Sequence, residues 1–249
     1  SLFLFLMIFT FMVGVLALYL CVRYLHKKKF SAIVTSRKKV DWKRIYFAFF
    51  VWGIISVVAI AIGMFLTPEN YEWNFKPIPF FTLVLVSFLF LPFQTSFEEF
   101  VFRGYLMQGL GTLVKNKWFP LIITSAIFGL LHGMNPEVER LGYILMVFYI
   151  GTGLFYGIAT LMDEGMELAL GLHASNNIVA AFFVTTDWMV FRTDALYVDT
   201  SEPAVGLEMY IGVFVLYPLL LLIFSKKYGW TNWKDKLFGK VERPVIDEK

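Results

Sequence analysis

Three short clusters carry the most reactive side chains of this 249-residue chain, and all three lie in apolar surroundings. The first is FEEFVFR, residues 97–103, where Glu98, Glu99 and Arg103 interrupt a run of aromatic and aliphatic residues. The second is FGLLH, residues 128–132, which ends in His132. The third is HASNN, residues 173–177, with His173 and Asn177 four apart. The remaining histidine, His26, falls in a basic stretch, so buried histidine chemistry is confined to two residues. A carboxylate beside a histidine can hold and deprotonate a water molecule. A second histidine and an asparagine amide can donate hydrogen bonds to a developing oxyanion. These are parts for hydrolysing an amide without a covalent nucleophile. Glu98, His132 and His173 are equally a zinc ligand set with a metal-bound water as nucleophile, although HExxH is absent. No GxSxG, catalytic-cysteine arrangement or Walker-type loop is present. Ser175 neighbours the third cluster but points off the His173 face. Intramembrane Glu and His also mark transporters and proton relays, yet the chain shows neither an inverted repeat nor paired broken helices.

Helical spacing sorts these side chains further. Glu99 and Arg103 are one turn apart in the favourable acid-first order, which predicts an ion pair of mainly structural or supporting role. Glu98 projects about 100° away from Glu99 and has Phe102 at i+4, so its partner must come from another helix. The midpoint between residues 98 and 132 is Lys115, inside the turn GTLVKNK. Equal distances from the turn of an antiparallel hairpin mean equal depth, so Glu98 and His132 are expected to face each other. Asn176 points about 100° away from Asn177.

The elements that must hold these groups are membrane-spanning helices. The chain is 58% hydrophobic and only 16% charged, with a mean hydropathy of +0.67, too little charge to cover a soluble surface. Several apolar runs approach or exceed the length needed to cross a bilayer. The expected fold is an all-α, polytopic transmembrane helical bundle forming a single domain over 1–249. About seven spans are drawn, near 2–24, 46–66, 79–108, 118–133, 141–162, 167–186 and 207–224, with Pro92 a candidate kink in the third. The motif-bearing core covers about 80–186. Residues 1–24 read as a span rather than a signal peptide, since no basic residues precede the apolar run. Gly151, Gly153 and Gly157 form a small-residue packing face. The tail 225–249 is expected to hold a short interfacial helix and a loose end. A single cysteine, Cys21, excludes a disulfide framework.

Lys and Arg set the orientation. With alternating loops, one side collects nine over residues 23–44, three at Arg103, Lys115 and Lys117, and seven from Lys226 onward, 19 against three on the other side. The richer side is expected to be cytoplasmic, with the C-terminus there and the N-terminus outside. The basic pI of 8.8 then reflects this bias rather than nucleic-acid binding.

On the three motifs the chain resembles a known family. FEEFVFR fits EExxxR, FGLLH fits FxxxH and HASNN fits HxxxN, in the order and membrane context of the CPBP (Abi) intramembrane proteases, related to the type II CAAX prenyl endopeptidases. The likeness covers roughly residues 80–180. It implies an intramembrane endopeptidase in which Glu98 activates water, His132 helps to position it, and His173 and Asn177 form the oxyanion hole, with Glu99 and Arg103 in support. No cofactor is favoured, and a zinc-dependent metalloprotease is the alternative mechanism. The family's CAAX-type fold has eight spans with both termini cytoplasmic, so an N-terminal helix is either missing here or absent from this subgroup. The implied partners are a membrane protein or peptide substrate and the lipid bilayer, in a prokaryotic plasma membrane. A non-hydrolytic scaffold or bacteriocin self-immunity protein, keeping the site as a relic or binding pocket, is the competing reading.

Overall fold

The computed structural model describes residues 2–190 and 192–241; the end of the tail, 242–249, lies outside them. The protein is an all-α polytopic bundle. Helix α1 (Leu2–Leu20) runs on through a π-helical turn, Cys21–Leu25. A one-turn helix α2 (Ser31–Val34) precedes α3 (Trp42–Leu66), whose first turn is capped by the Asp41 carboxylate accepting from the backbone N–H of Lys43. Helix α4 is continuous over Pro77–Val114. Proline stands at its first position, where a missing N–H is harmless, and Lys115 ends it in a left-handed cap. Helix α5 (Trp118–Leu130) tightens into a 3-10 turn at Leu131–Met134. The short α6 (Pro136–Leu141) leads to α7 (Met146–Asp163) and then α8 (Glu167–Phe182). Helix α9 covers Met209–Tyr228, and α10 (Trp233–Phe238) is the helix expected in the tail.

Among the described residues, five of the seven long helices are apolar and long enough to cross a membrane, namely Ile8–Leu25, α3, α4, Tyr143–Asp163 and α9. The other two of the seven expected spans are shorter. Trp118–Met134 is apolar, whereas the 16-residue α8 carries polar groups because it is the inner helix of the bundle, with 12 of its residues buried. Its close fit has a simple cause: a Cβ at Gly171 would run into the backbone carbonyl of Ile45, so only glycine lets α3 and α8 approach this closely. The glycines of α7 divide between two neighbours. Gly151 faces Val213 of α9, while Gly153 and Gly157 face Ser125 and Leu121 of α5.

Alternation of the loops is visible at both ends. At one end Thr35 bridges to Gly165 and Asn116 to Lys240. There Arg37 and Arg44 both pair with buried Asp163, and Arg37 also with Glu167. At the opposite end a small three-stranded sheet, in the order β1-β3-β2, joins β1 (Tyr71–Trp73), β2 (Val184–Thr185) and β3 (Tyr197–Asp199). Strand β3 pairs antiparallel with β1 and parallel with β2. The main core packs Phe155, Ala159, Met162 and Leu172 against Trp52, Leu220 and Phe224, toward the Arg-rich end. The polar cluster lies within this packing rather than at its surface.

Candidate active site

Helix α4 brings the acidic pair to the bundle interior by an unusual route. It passes through Pro92 without breaking, and the Thr95 hydroxyl donates to the carbonyl of Leu91 beside the proline. Directly after Glu99 the helix widens to π-type over Phe100–Leu106, a distortion common at functional sites. Glu99 and Arg103 are fully buried, at 0% and 1% exposed. The expected pair forms, with Arg103 Nη1 donating to Glu99 Oε1 at 3.2 Å. The guanidinium also donates to the carbonyl of Gly153 at 3.0 Å and lies 4.4 Å from the centre of the Phe128 ring, a cation–π contact in a dry setting.

Glu99 does more than pair with Arg103. Its Oε1 accepts from His173 Nδ1 at 2.8 Å. The other ring nitrogen, Nε2, lies 3.7 Å from Glu98 Oε2. One imidazole thus spans two adjacent carboxylates that leave the helix about 100° apart, which reconciles their divergence with a shared partner. Glu98 Oε2 is buried and has no hydrogen-bond partner, as is Glu99 Oε2. Tyr156 covers the His173 ring, with centroids 5.2 Å apart.

The histidine within ion-pair distance of Glu98 is His173; among the described residues no direct hydrogen bond or ion pair joins His132 to Glu98. His132 stands in the 3-10 turn Leu131–Met134 that ends α5. Its Nδ1 bonds the carbonyl of Phe128 at 2.9 Å, and its ring stacks on Tyr149, 4.3 Å centroid to centroid and 18° between planes. A carbonyl only accepts, so Nδ1 carries the proton and Nε2 of the neutral ring is left as an acceptor. Glu98, His132 and His173 are not gathered as a ligand set. Among the described residues no group of three or more His, Cys, Asp or Glu side chains is disposed to hold a metal ion.

Asn177 is buried beside them. Its Nδ2 donates to Gln94 Oε1 at 2.9 Å, and Gln94 Nε2 donates to Glu98 Oε1. Asn176 donates to Asn177 Oδ1 at 3.1 Å and accepts from the Trp52 indole at 3.2 Å. Ser175 is fully buried and turned toward Gly53 of α3, away from the cluster.

Two residues of the site stand outside the three sequence motifs. Gln94 is four positions before Glu98, a spacing that is legible but points to no chemistry without its partner on α8. Glu137, on α6, is 4% exposed. Its Oε1 accepts from the Tyr149 hydroxyl and from Asn135 Nδ2, and its Oε2 from the Val190 backbone N–H at 3.0 Å. It thereby holds the ring that stacks on His132. Its only mark in the sequence is a carboxylate directly after an Asn-Pro helix start, which is common at exposed helix ends. A cavity of about 350 Å³ adjoins Glu137 and Tyr149, walled by Phe148, Trp188, Met189 and Met209.

Comparison with known proteins is decisive for the family. The family model described as type II CAAX prenyl endopeptidase Rce1-like matches residues 77–179, which span all three motifs. An uncharacterized protein of Bacillus subtilis (strain 168), YyaK, is 31% identical over 220 residues, 88% of this chain and 72% of its own. The chain belongs to the Rce1-like family. No solved structure matches it. The matched segment begins where α4 begins and ends two residues after Asn177, so the family match and the buried polar cluster coincide on α4, α5, α7 and α8.

Proposed function

We propose that this Rce1-like protein is an intramembrane endopeptidase that hydrolyses a peptide bond with water activated by Glu98. The observation that carries the reading is the Oε2 atom of Glu98: a buried carboxylate oxygen with no hydrogen-bond partner, 3.7 Å from an imidazole nitrogen. A carboxylate so placed can accept a proton from a water molecule as the hydroxide attacks the scissile carbonyl carbon. The carbonyl oxygen becomes an oxyanion, held by His173 Nε2–H and by the second N–H of Asn177 Nδ2, whose first is used by Gln94. Collapse of the tetrahedral intermediate breaks the C–N bond, and Glu98 returns its proton to the leaving amine. His132, accepting at Nε2, positions the water.

The hydrogen bonds support these roles. Glu99 takes the Nδ1 proton of His173, so donation from Nε2 requires the doubly protonated ring. In that form the formal charges of Glu98, Glu99, Arg103 and His173 sum to zero. Glu99 and Arg103 thus set the orientation of the oxyanion donor as well as pairing with each other. The substrate is a membrane protein or membrane-bound peptide, because the cluster lies inside the bundle.

The reading is tested by comparing membrane-proteome peptide termini from cells carrying wild-type protein or Glu98→Gln at equal levels. Termini present only with the wild type are expected, and they name the substrate. Loss of a general acid–base group costs roughly 10²–10⁴-fold in rate, so these termini should vanish with Glu98→Gln while the protein still folds. Identical termini, together with rescue of a deletion phenotype by Glu98→Gln, would instead favour a scaffold or immunity protein.

A further inference from the structure

Four hydrogen bonds in the cluster form one directed chain across three helices. The Trp52 indole N–H on α3 donates to Asn176 Oδ1 at 3.2 Å. Asn176 Nδ2 donates to Asn177 Oδ1 at 3.1 Å. Asn177 Nδ2 donates to Gln94 Oε1 at 2.9 Å, and Gln94 Nε2 donates to Glu98 Oε1. The direction is forced at both ends. An indole can only donate, so it must face the oxygen of Asn176; an ionised carboxylate can only accept, so it must face the nitrogen of Gln94. Between them every amide is oriented the one way that satisfies both ends. Reversing any one amide would set donor against donor or acceptor against acceptor at two contacts. Trp52, Gln94 and Asn177 are all buried, at 9%, 8% and 7% exposed, so water does not compete freely for these bonds, and aligned dipoles in a low dielectric reinforce one another.

We infer that Gln94 is a positioning residue for the proposed reaction, and that Trp52, Asn176 and Asn177 extend it into a relay that fixes the base. The chain occupies Oε1 of Glu98 and turns the unpartnered Oε2 toward His173. It also locks Asn177, so that base and oxyanion donor are held in one register by the same glutamine. The three helices come together here because α8 is packed between α3 and α4, with Gly171 admitting α3 closely. The relay deepens the reading of Glu98 as base and rests on it for its catalytic consequence. Its physical content, a carboxylate stabilised by Gln94, stands apart from any proteolysis.

The test uses that independence. Full-length protein in membranes is treated with dicyclohexylcarbodiimide, an apolar reagent that modifies protonated carboxyls, and the labelling of Glu98 and Glu99 is followed by peptide mass spectrometry. Glu99 is the internal control, since its partners Arg103 and His173 lie outside the relay. Gln94→Leu removes the donor to Glu98 at nearly constant volume and should raise the ratio of Glu98 to Glu99 labelling by roughly tenfold, the worth of a hydrogen bond to a charged group. Trp52→Phe keeps a ring in place, removes only the first N–H of the chain, and should raise the ratio in the same direction by less. General loosening of the site would raise both labels and leave the ratio unchanged. An unchanged ratio in folded Gln94→Leu overturns the assignment, and if that variant fails to fold, an unchanged ratio in Trp52→Phe does so. Since no substrate enters, the relay can fail while Glu98-dependent termini persist, or hold while they are absent.

Discussion

The His173 side chain serves two carboxylates at once. Its imidazole is held by Glu99 at one nitrogen and approached by Glu98 at the other, so the charge of Arg103 reaches the candidate oxyanion donor through one carboxylate. This gives Arg103 a stability role that can be measured. Arg103→Met would leave Glu99 buried without its guanidinium, and breaking such a pair costs about 3–5 kcal/mol. Chemical denaturation of the purified variant in detergent is expected to show a loss of this size, and Glu99→Gln placed in the same chain should restore part of it. A variant as stable as the wild type would mean that the pair is not electrostatically isolated. Half of this arrangement is legible in the sequence. The i, i+4 spacing of Glu99 and Arg103 depends only on helix geometry, and the pair forms as spacing requires. The meeting of Glu99 with His173 depends on the rotation of α4 relative to α8, for which no local pattern exists.

Short departures from regular helix geometry decide where the cluster's outer side chains point. His132 lies in the 3-10 turn at Leu131–Met134 and stacks on Tyr149. Tyr149 in turn is held by Glu137, which also accepts the N–H of Val190. One carboxylate therefore ties α6, α7 and the segment after β2 into a frame around His132. In Glu137→Gln an amide nitrogen or a lost acceptor must face either the Tyr149 hydroxyl or the Val190 N–H. An unmet buried donor costs about 1–3 kcal/mol, and the expected consequence is local opening of the segment near Val190. Limited trypsin digestion should cut after Arg192 several times faster in the variant than in the wild type, with cleavage at Lys27–Lys29 unchanged. Equal rates at Arg192 would show that Glu137 does not restrain this segment. The sequence pattern located α4, α5, α7 and α8 to within about six residues at each end, because apolar runs and turn residues bound them. It could not show the turn at residue 131, since Leu-His-Gly-Met fits a helix end of either kind.

At the scale of the whole molecule, loops of one parity meet at each end, and the charge is divided the same way. The end holding residues 23–44, 115–117, 164–166 and 226–241 carries 16 of the 22 Lys and Arg residues. Part of that charge is compensated where Arg37 and Arg44 meet Asp163 and Glu167. These buried acids hold the arginines against the connection between α7 and α8, so the bias that would orient the chain during insertion also closes that end of the bundle. Strands β1, β2 and β3 cover the other end, where His132, Glu137 and the 350 Å³ cavity lie. Positive charge is retained on the cytoplasmic side of a membrane, so the Arg-rich end is expected to face the cytoplasm and the Tyr149 cavity the exterior. Single-cysteine variants in a Cys21→Ser background decide this. In intact cells a membrane-impermeant maleimide should label Arg140→Cys, and should label Lys240→Cys only after the membrane is opened. The opposite pattern would place the frame around His132 on the cytoplasmic side.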